Sequence, residues 1–476
     1  MNSRILADLP KDELWRIACQ LNTEVEVLRT ENQELRQQLA QVQARVQQLQ
    51  AELALPKKTS SNSSKPPSAS HKAQQKKGVG KSRGGKPGHP GISRSVQEPG
   101  LVIECRAEVC QACGASLSGL EGECIGSHQV VDLPAMKAVV IELRRYQTRC
   151  TCGACEEGQY PAGYEDIQQD FGPGVQVLVS YLNGTHHIAQ DRLQQLLADV
   201  WGVSMSAGAI ANSLQRMARY LEQPAHDILC DIRRSSVIGS DETGFRVEGE
   251  NWWLWTVQTP QNSYFAMADT RAGEVLEGLM FDAVAEVWCC DLHAAQLHAP
   301  ARRFAICNAH QLRDLQYAID AGDTVFAPRM QALLREGLQL AQAREAYSAT
   351  AYQHAVDNLK TRAHALLKCR VRQADGLRLQ NRFRKHFESI WHFLDRADVP
   401  FTNNASEQAL RPAVIHRKVI GSFRSEAGAV AYALYRTVED TARKRGQNVL
   451  SALYRALTGV TRQGFCVLPG FGPSAG

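Results

Sequence analysis

A seven-residue repeat near the amino terminus constrains this chain more than any other feature. Leu14, Leu21, Leu28, Leu35, Val42 and Leu49 recur every seventh position, and Val25, Asn32, Leu39, Val46 and Leu53 fill the second seam position. Five heptads of this kind predict one long helix over 11–55 with a coiled-coil seam. Asn32 interrupts the apolar a row, and a single buried Asn there fixes register and favours a parallel pair. The plainer alternative is an amphipathic helix lying on its own domain, but the glutamine-rich outer face gives such a domain little to bury. Pro56 marks the end of the helix.

Positive charge is concentrated just beyond. Residues 1–55 hold six Lys/Arg against eight Asp/Glu, whereas 56–100 hold ten against one. The whole chain of 476 residues carries only +5, so the excess lies in this Ser-, Lys-, Gly- and Pro-rich tether. Such a composition cannot bury enough apolar surface to offset chain entropy, which predicts a disordered linker. Lys76, Lys77, Lys81, Arg83 and Lys86 are its candidate phosphate contacts; a solubilising tether is the bland reading.

Seven of the fourteen cysteines crowd into 101–160. Cys110-Gln-Ala-Cys113-Gly is one hook, and Cys150-Thr-Cys152-Gly-Ala-Cys155 is the other. The spacing suggests a closed, four-thiolate structural zinc site of ribbon type, with Val139–Leu143 as a strand between the hooks. Cys110, Cys113, Cys152 and Cys155 make the expected ligand set, since two residues then separate each pair; Cys150 is the alternative. The stretch 114–151 between the hooks is longer than the roughly 15–20 residues of common ribbons. A loop with unliganded thiols is the other reading. The remaining cysteines are scattered and read as thiols in a reducing compartment.

The composition, 44% apolar and 22% charged, is that of a globular protein, and no apolar run is long enough to span a membrane. No secretory leader precedes the heptads, so a cytosolic location is expected. Residues 161–232 read as helical. A helix to Trp201, a tight turn at Gly202-Val203-Ser204 and a second helix capped by Ser206 resemble a helix-turn-helix; a plain helical bundle fits the pattern equally well. The pattern then switches to strands at Val237–Phe245, Trp252–Thr259 and Ser263–Ala268, expected as an antiparallel meander. A helix over Arg271–Met280 and a buried strand at Ala285–Cys290 follow. Residues 301–320 read as helical, 322–400 as a helical insertion, 401–463 as helical again, and 464–476 as a loose tail.

Three acids stand in this frame. Asp241 lies within an apolar strand, Asp291 closes another, and Glu407 opens a helix rich in Arg and Lys. Two strand acids and one helix acid, if they converge, form a hard-oxygen site for a pair of Mg²⁺ or Mn²⁺ ions. Taken singly, an Asp after an apolar run is usually a strand-end or capping residue. Glu242, Asp269 and Asp314 are rivals, but Glu242 faces away from Asp241 on the same strand.

At this point the residues resemble a known family. Asp241-Glu-Thr243, Asp291, Cys307-Asn-Ala-His310-Gln-Leu-Arg313-Asp314, and Asn403-Asn404-Ala-Ser-Glu407-Gln-Ala-Leu-Arg411-Pro412 with Arg417-Lys418 and Gly421–Gly428 look like the DDE transposases of the insertion-sequence-66 family. The Ser-Ser-Asn-Ser-Ser-Lys-Pro-Pro-Ser tether and the cysteine hooks resemble the same family's front end. The triplet Cys150/Cys152/Cys155 departs from it, because the family usually shows one C-x-x-C hook there. The resemblance implies a multidomain α+β chain: coiled coil 1–55, basic linker 56–100, zinc ribbon 101–160, helical region 161–232, and an RNase H-like core 233–321 and 401–463 interrupted by the insertion 322–400. It implies Asp241, Asp291 and Glu407 as catalytic ligands of two Mg²⁺ (or Mn²⁺) ions, a structural Zn²⁺, and metal-dependent strand cleavage and transfer at the ends of an insertion sequence. His310, Arg313, Arg411, Arg417 and Lys418 are candidates for DNA phosphate contacts or for positioning, a solvated surface being the bland reading. Element-end and target DNA, a second copy joined through the zipper and accessory proteins of the same element are the expected partners, at a bacterial nucleoid. A non-catalytic DNA-binding regulator and a structure-selective nuclease are the competing readings.

Overall fold

The computed structural model describes residues 10–54, 56, 95–133, 136–161, 164 and 170–459. The predicted tether contacts Lys76, Lys77, Lys81, Arg83 and Lys86, and the tail 464–476, lie outside the described residues.

Helix α1, Lys11–Ala54, runs unbroken for 44 residues. It contains neither Gly nor Pro, and its Leu, Gln, Glu, Arg and Ala are good helix formers. Asp12 and Glu13 sit in its first turn, where the helix dipole favours negative charge. Leu21, Val25, Leu28, Leu35, Leu39, Val42, Val46 and Leu49 are all exposed along it.

The cysteine-rich stretch contains little regular structure. The predicted strand at 139–143 is absent: Val140 is 97% exposed and no strand among the described residues pairs with the segment. The strands are instead β1, Gln147–Arg149, and β2, Cys155–Glu157, an antiparallel hairpin around the second cysteine turn.

The chain divides into two compact units. One contains Met1–His71, Ser236–Ser240 and Met280–Ala405. Strand β3, Val237–Val247, begins here and pairs in parallel with β6, Ala285–Cys290, with Val237 opposite Val287 and Gly239 opposite Cys289. A further strand, β7, Ala301–Ile306, lies parallel to β6 on its other side. In β6 only Glu286 is exposed, as expected for the middle strand of a parallel set covered on both faces. Residues 301–306 were expected to be helical. Ala301, Arg302 and Arg303 mask an outer strand whose apolar end, Ala305 and Ile306, is buried.

Helices α6 (Asn308–Asp320), α7 (Ala327–Gln342), α8 (Ala349–Leu366), α9 (Ala374–Lys385) and α10 (Phe387–Trp391) follow β7. They share one core in which Phe326, Met330, Leu334, Leu359, Leu379, Phe383 and Trp391 are buried. The buried Asp323 carboxylate accepts the Val325 and Ala327 N–H groups at 2.9 and 2.8 Å, capping the start of α7. Gly376 packs against that carboxylate so closely that a Cβ there would fall 2.3 Å from Asp323 Oδ2.

The other unit contains Lys72–Ser235, Asp241–Leu279 and Ser406–Gly476. Helices α2 (Pro173–Gly184), α3 (Gln190–Trp201) and α4 (Ala207–Arg233) form its first part. Gly202 ends α3 with φ 69°, and the Ser206 side chain caps α4 by accepting the Ala209 N–H. The two helices and the turn between them therefore lie at the expected boundaries.

The second half of β3 turns into β4, Glu250–Gln258, through Glu248 and Gly249 at φ 53° and 87°, a turn of type I′ character. Strand β5, Ser263–Ala268, pairs antiparallel with β4. Helix α5 (Glu274–Met280) follows, and α11 (Asn404–Ile420), α12 (Glu426–Lys444) and α13 (Val449–Thr458) complete the chain. Two threonines one helical turn apart on α12 satisfy the edge of β5. Thr437 Oγ1 accepts the Phe265 N–H at 2.9 Å, and Thr441 Oγ1 accepts the Ser263 N–H at 3.0 Å. This covers an edge that would otherwise offer unpaired amides to another chain.

His416 lies in the core of this unit, 3% exposed. Its ring stacks on Tyr432 at 4.1 Å, and its Nδ1 is 3.3 Å from that of His187. Burial, then the neighbouring His187 and Arg436, push the imidazole down to about 3. An unfolded His titrates near 6.5, so below that pH the unfolded chain takes up a proton that the native site refuses. The site's contribution is therefore intact above about 6.5 and is lost as pH falls toward 3, at no more than about 1.4 kcal/mol per pH unit. Urea unfolding between pH 7 and 5 should give a shallower decline of stability for His416→Phe than for wild type; parallel curves would refute the assignment.

Candidate active site

The first unit contains a buried polar knot. Ser240 is fully buried; its Oγ accepts a hydrogen bond from Trp288 Nε1 at 2.7 Å and donates one to Gln296 Oε1. The Ser240 carbonyl accepts one from Asn403 Nδ2 at 2.7 Å. Trp288 and Gln296 are fully buried and Asn403 is 4% exposed, so each unmet bond would leave a desolvated polar group. Through these four residues the middle of β3, strand β6, the turn after β6 and the residue before α11 are fixed to one another.

The predicted acids are neighbours of this knot in sequence. Asp241 follows Ser240, and its Oδ1 accepts the Glu242 N–H at 3.0 Å. Asp291 follows the last residue of β6, and its Oδ1 accepts the His293 N–H at 2.9 Å. From the parallel pair Gly239–Cys289, Asp241 and Asp291 each stand two residues further along the chain. Glu407 is in the first turn of α11, four residues past Asn403. All three acids are partly exposed. Beside Glu407, Ser406 is buried and its hydroxyl accepts a bond from Gln258 Nε2 at 3.2 Å, which seats α11 on β4.

Two of the three rival acids are engaged elsewhere. Glu242 pairs with Arg271 at 2.6 Å, with its carboxylate side chain only 2% exposed. Asp314 pairs with Arg382 at 2.6 Å.

The predicted DNA contacts divide in the same way. Arg411 and Lys418 are exposed on α11. Arg417 instead donates to the Gly244 carbonyl, with its guanidinium 5.7 Å over the Phe245 ring, and so braces β3. His310 and Arg313 are half-buried on α6, where Arg313 Nε donates to the Ala309 carbonyl at 3.3 Å. The sequence reading gave no role to Ser240, Gln296 or Asn403. The place of Asn403 at the head of the block Asn403–Pro412, just before a helix, was the available signal.

The cysteine hooks share one local design. The Gly114 N–H donates to the Cys110 carbonyl at 2.9 Å, and the Gly153 N–H donates to the Cys150 carbonyl at 2.9 Å, both glycines being at positive φ. Backbone N–H groups of Ala112 and Cys113 lower the Cys110 thiol, and that of Cys152 lowers the Cys150 thiol. The second turn thus closes around Cys150 and Cys152, while Cys155 starts β2 opposite Arg149. Among the described residues, no three of these sulfurs lie within 4.8 Å of one another.

No helix among the described residues is long and apolar enough to cross a membrane. A family of unknown function (DUF6444) matches residues 10–95, and the model described as Transposase IS66 family matches residues 169–431. No curated protein matches the chain. The second match spans β3, β6, both strand acids, Glu407 and the helices between, more than half of the 476 residues. The chain belongs to the IS66 family of transposases.

Proposed function

We propose that this transposase cuts and joins DNA with Asp241, Asp291 and Glu407 as the ligands of two divalent cations. The observation that carries the reading is the parallel register of β3 and β6, from which the two aspartates stand at equal offset. Asn403 supports the third position, because it fixes the residue before Asp241 and lies one helical turn before Glu407. Hard carboxylate oxygens suit Mg²⁺ or Mn²⁺. Bound ions would activate a water or a DNA 3′-hydroxyl and stabilise the leaving oxygen of in-line displacement. The chain's own part is to hold the acids still: the Glu242 and His293 amides orient Asp241 and Asp291, and the Ser240 knot resists rotation of the strands that carry them. Asp291 and Asp241 are acids without a helix of their own, so strand geometry sets their aim. Arg411, Lys418, His310 and Arg313 are the proposed phosphate contacts, and Arg417 is a brace for β3. A regulator that only binds DNA is the less favoured reading, since it gives these acids no task.

For zinc, the matched hooks fit Cys110, Cys113, Cys150 and Cys152 as ligands better than a set containing Cys155. Four thiolates would leave no open position, so the ion would be structural and would join two hooks that are otherwise separate.

The zipper reading gains support from charge. With Leu14, Leu21, Leu28 and Leu35 at d, Glu24 and Glu31 fall at g and Arg29 and Arg36 at e. In a parallel, in-register pair each Glu faces the Arg five positions on in the second copy, and Asn32 faces Asn32. An antiparallel pair would set Glu against Glu and Arg against Arg. The exposed stripe on α1 is thus proposed to be covered by a second copy of this chain.

Three measurements test these readings. Wild type should nick duplex DNA carrying the ends of its own element in Mg²⁺ or Mn²⁺, and Asp241→Ala, Asp291→Ala and Glu407→Ala should each lower the rate on the order of 10²–10³-fold or more with an unchanged unfolding midpoint. Binding without nicking in either metal would favour the regulator. Purified chain should hold about one zinc, lost in Cys150→Ser and kept in Cys155→Ser; the reverse pattern would reassign the second hook. Glu24→Arg/Glu31→Arg should weaken self-association on the order of tenfold or more, and adding Arg29→Glu/Arg36→Glu should restore it. An unchanged mass in the first variant would rule out the parallel register.

A further inference from the structure

The segment from Lys360 to Lys385 contains nine Lys/Arg and one acid, Asp375, in a chain whose net charge is only +5. Five of the nine cations are engaged. Lys360 pairs with Asp395 at 2.7 Å, Arg362 holds Glu336 through both nitrogens at 2.6 and 2.8 Å, Arg378 meets Asp375 at 3.2 Å, and Arg382 meets Asp314 at 2.6 Å. Arg384 donates to the Leu367 carbonyl at 2.7 Å. The other four, Lys368, Arg370, Arg372 and Lys385, are exposed, and among the described residues none of their side chains has an ion-pair partner.

Three of these four lie in the connection between α8 and α9. That connection is pinned down. Gln380 Nε2 donates to the Leu366 and Cys369 carbonyls at 3.0 and 2.8 Å, so the open end of α8 is closed from α9. Val371, 8% exposed, joins the apolar core. Arg370 and Arg372 flank Val371 in a segment without helical structure, so with Val371 turned inward both arginines project outward. The side chains are thus carried on a backbone already ordered, which lowers the entropy lost on binding.

We propose that the α8–α9 connection is a phosphate-binding strip for duplex DNA, with Lys368, Arg370 and Arg372 as its contacts. The proposal rests on the DNA-processing reading above and adds a surface to it. Guanidinium forks match phosphate oxygens in shape as well as charge. The strip reads no bases; it holds the duplex by its backbone.

The test uses the full chain, a short fluorescent duplex of arbitrary sequence, no added divalent metal, and binding measured across a range of salt. Lys368→Gln/Arg370→Gln/Arg372→Gln should bind more weakly, with a log–log salt slope shallower by about 2–3, since each lost phosphate contact removes about 0.9. Arg362→Gln/Arg378→Gln, which removes two cations already paired with acids, should leave the slope unchanged. Wild-type slope in the triple variant, or an equal drop in the paired-cation control, overturns the strip and leaves the catalytic reading intact. A wild-type chain that fails to bind duplex even at low salt overturns both.

Discussion

The polar knot at Ser240 is the constraint on which the proposed chemistry depends. A serine buried in mid-strand is tolerable only if its hydroxyl and carbonyl are satisfied, and three different segments supply the partners: Trp288 from β6, Gln296 from the turn beyond it, and Asn403 from the approach to α11. Losing any one leaves a buried group unpaired at about 1–3 kcal/mol, so the arrangement is specific as well as stabilising. Apolar packing alone would accept small slips between strands. A directional network does not, and ligands for small hard cations tolerate little displacement.

The helical periodicities and the long strands were legible in the sequence because their patterns are local. The heptads of α1, the cap of α4 at Ser206 and the apolar runs of β3 to β6 all lie close to their predicted bounds. Strand β7 was not legible, because Arg302 and Arg303 occupy its exposed outer end and only two residues, Ala305 and Ile306, report burial. The strand expected at Val139–Leu143 failed for the opposite reason: its composition suits a strand, but no strand among the described residues pairs with it.

At the candidate site, residue type was readable and partnership was not. Asp241 and Glu242 are adjacent acids, and the structure separates them by giving Glu242 the Arg271 side chain. Arg417 and Lys418 are adjacent cations, and the structure turns one to the Gly244 carbonyl and leaves the other exposed. The basic α8–α9 connection was hidden by averaging, since the acids of the surrounding chain cancel its charge in any long window. Its paired and unpaired cations become distinguishable only once Glu336, Asp314 and Asp395 are located.

The direction of the proposed pairing of α1 would have consequences beyond self-association. A helix of 44 residues is about 66 Å long. In an antiparallel pair the two tethers would leave from opposite ends, separated by that length. A parallel pair releases both tethers side by side at Pro56, so two copies start from one point. Transposition requires two DNA ends to be handled together, and a common origin raises the effective concentration of one copy for the other without any new contact. The charges at positions 24, 29, 31 and 36 would thus act on the reaction from a distance, by deciding which end of the helix the two chains share.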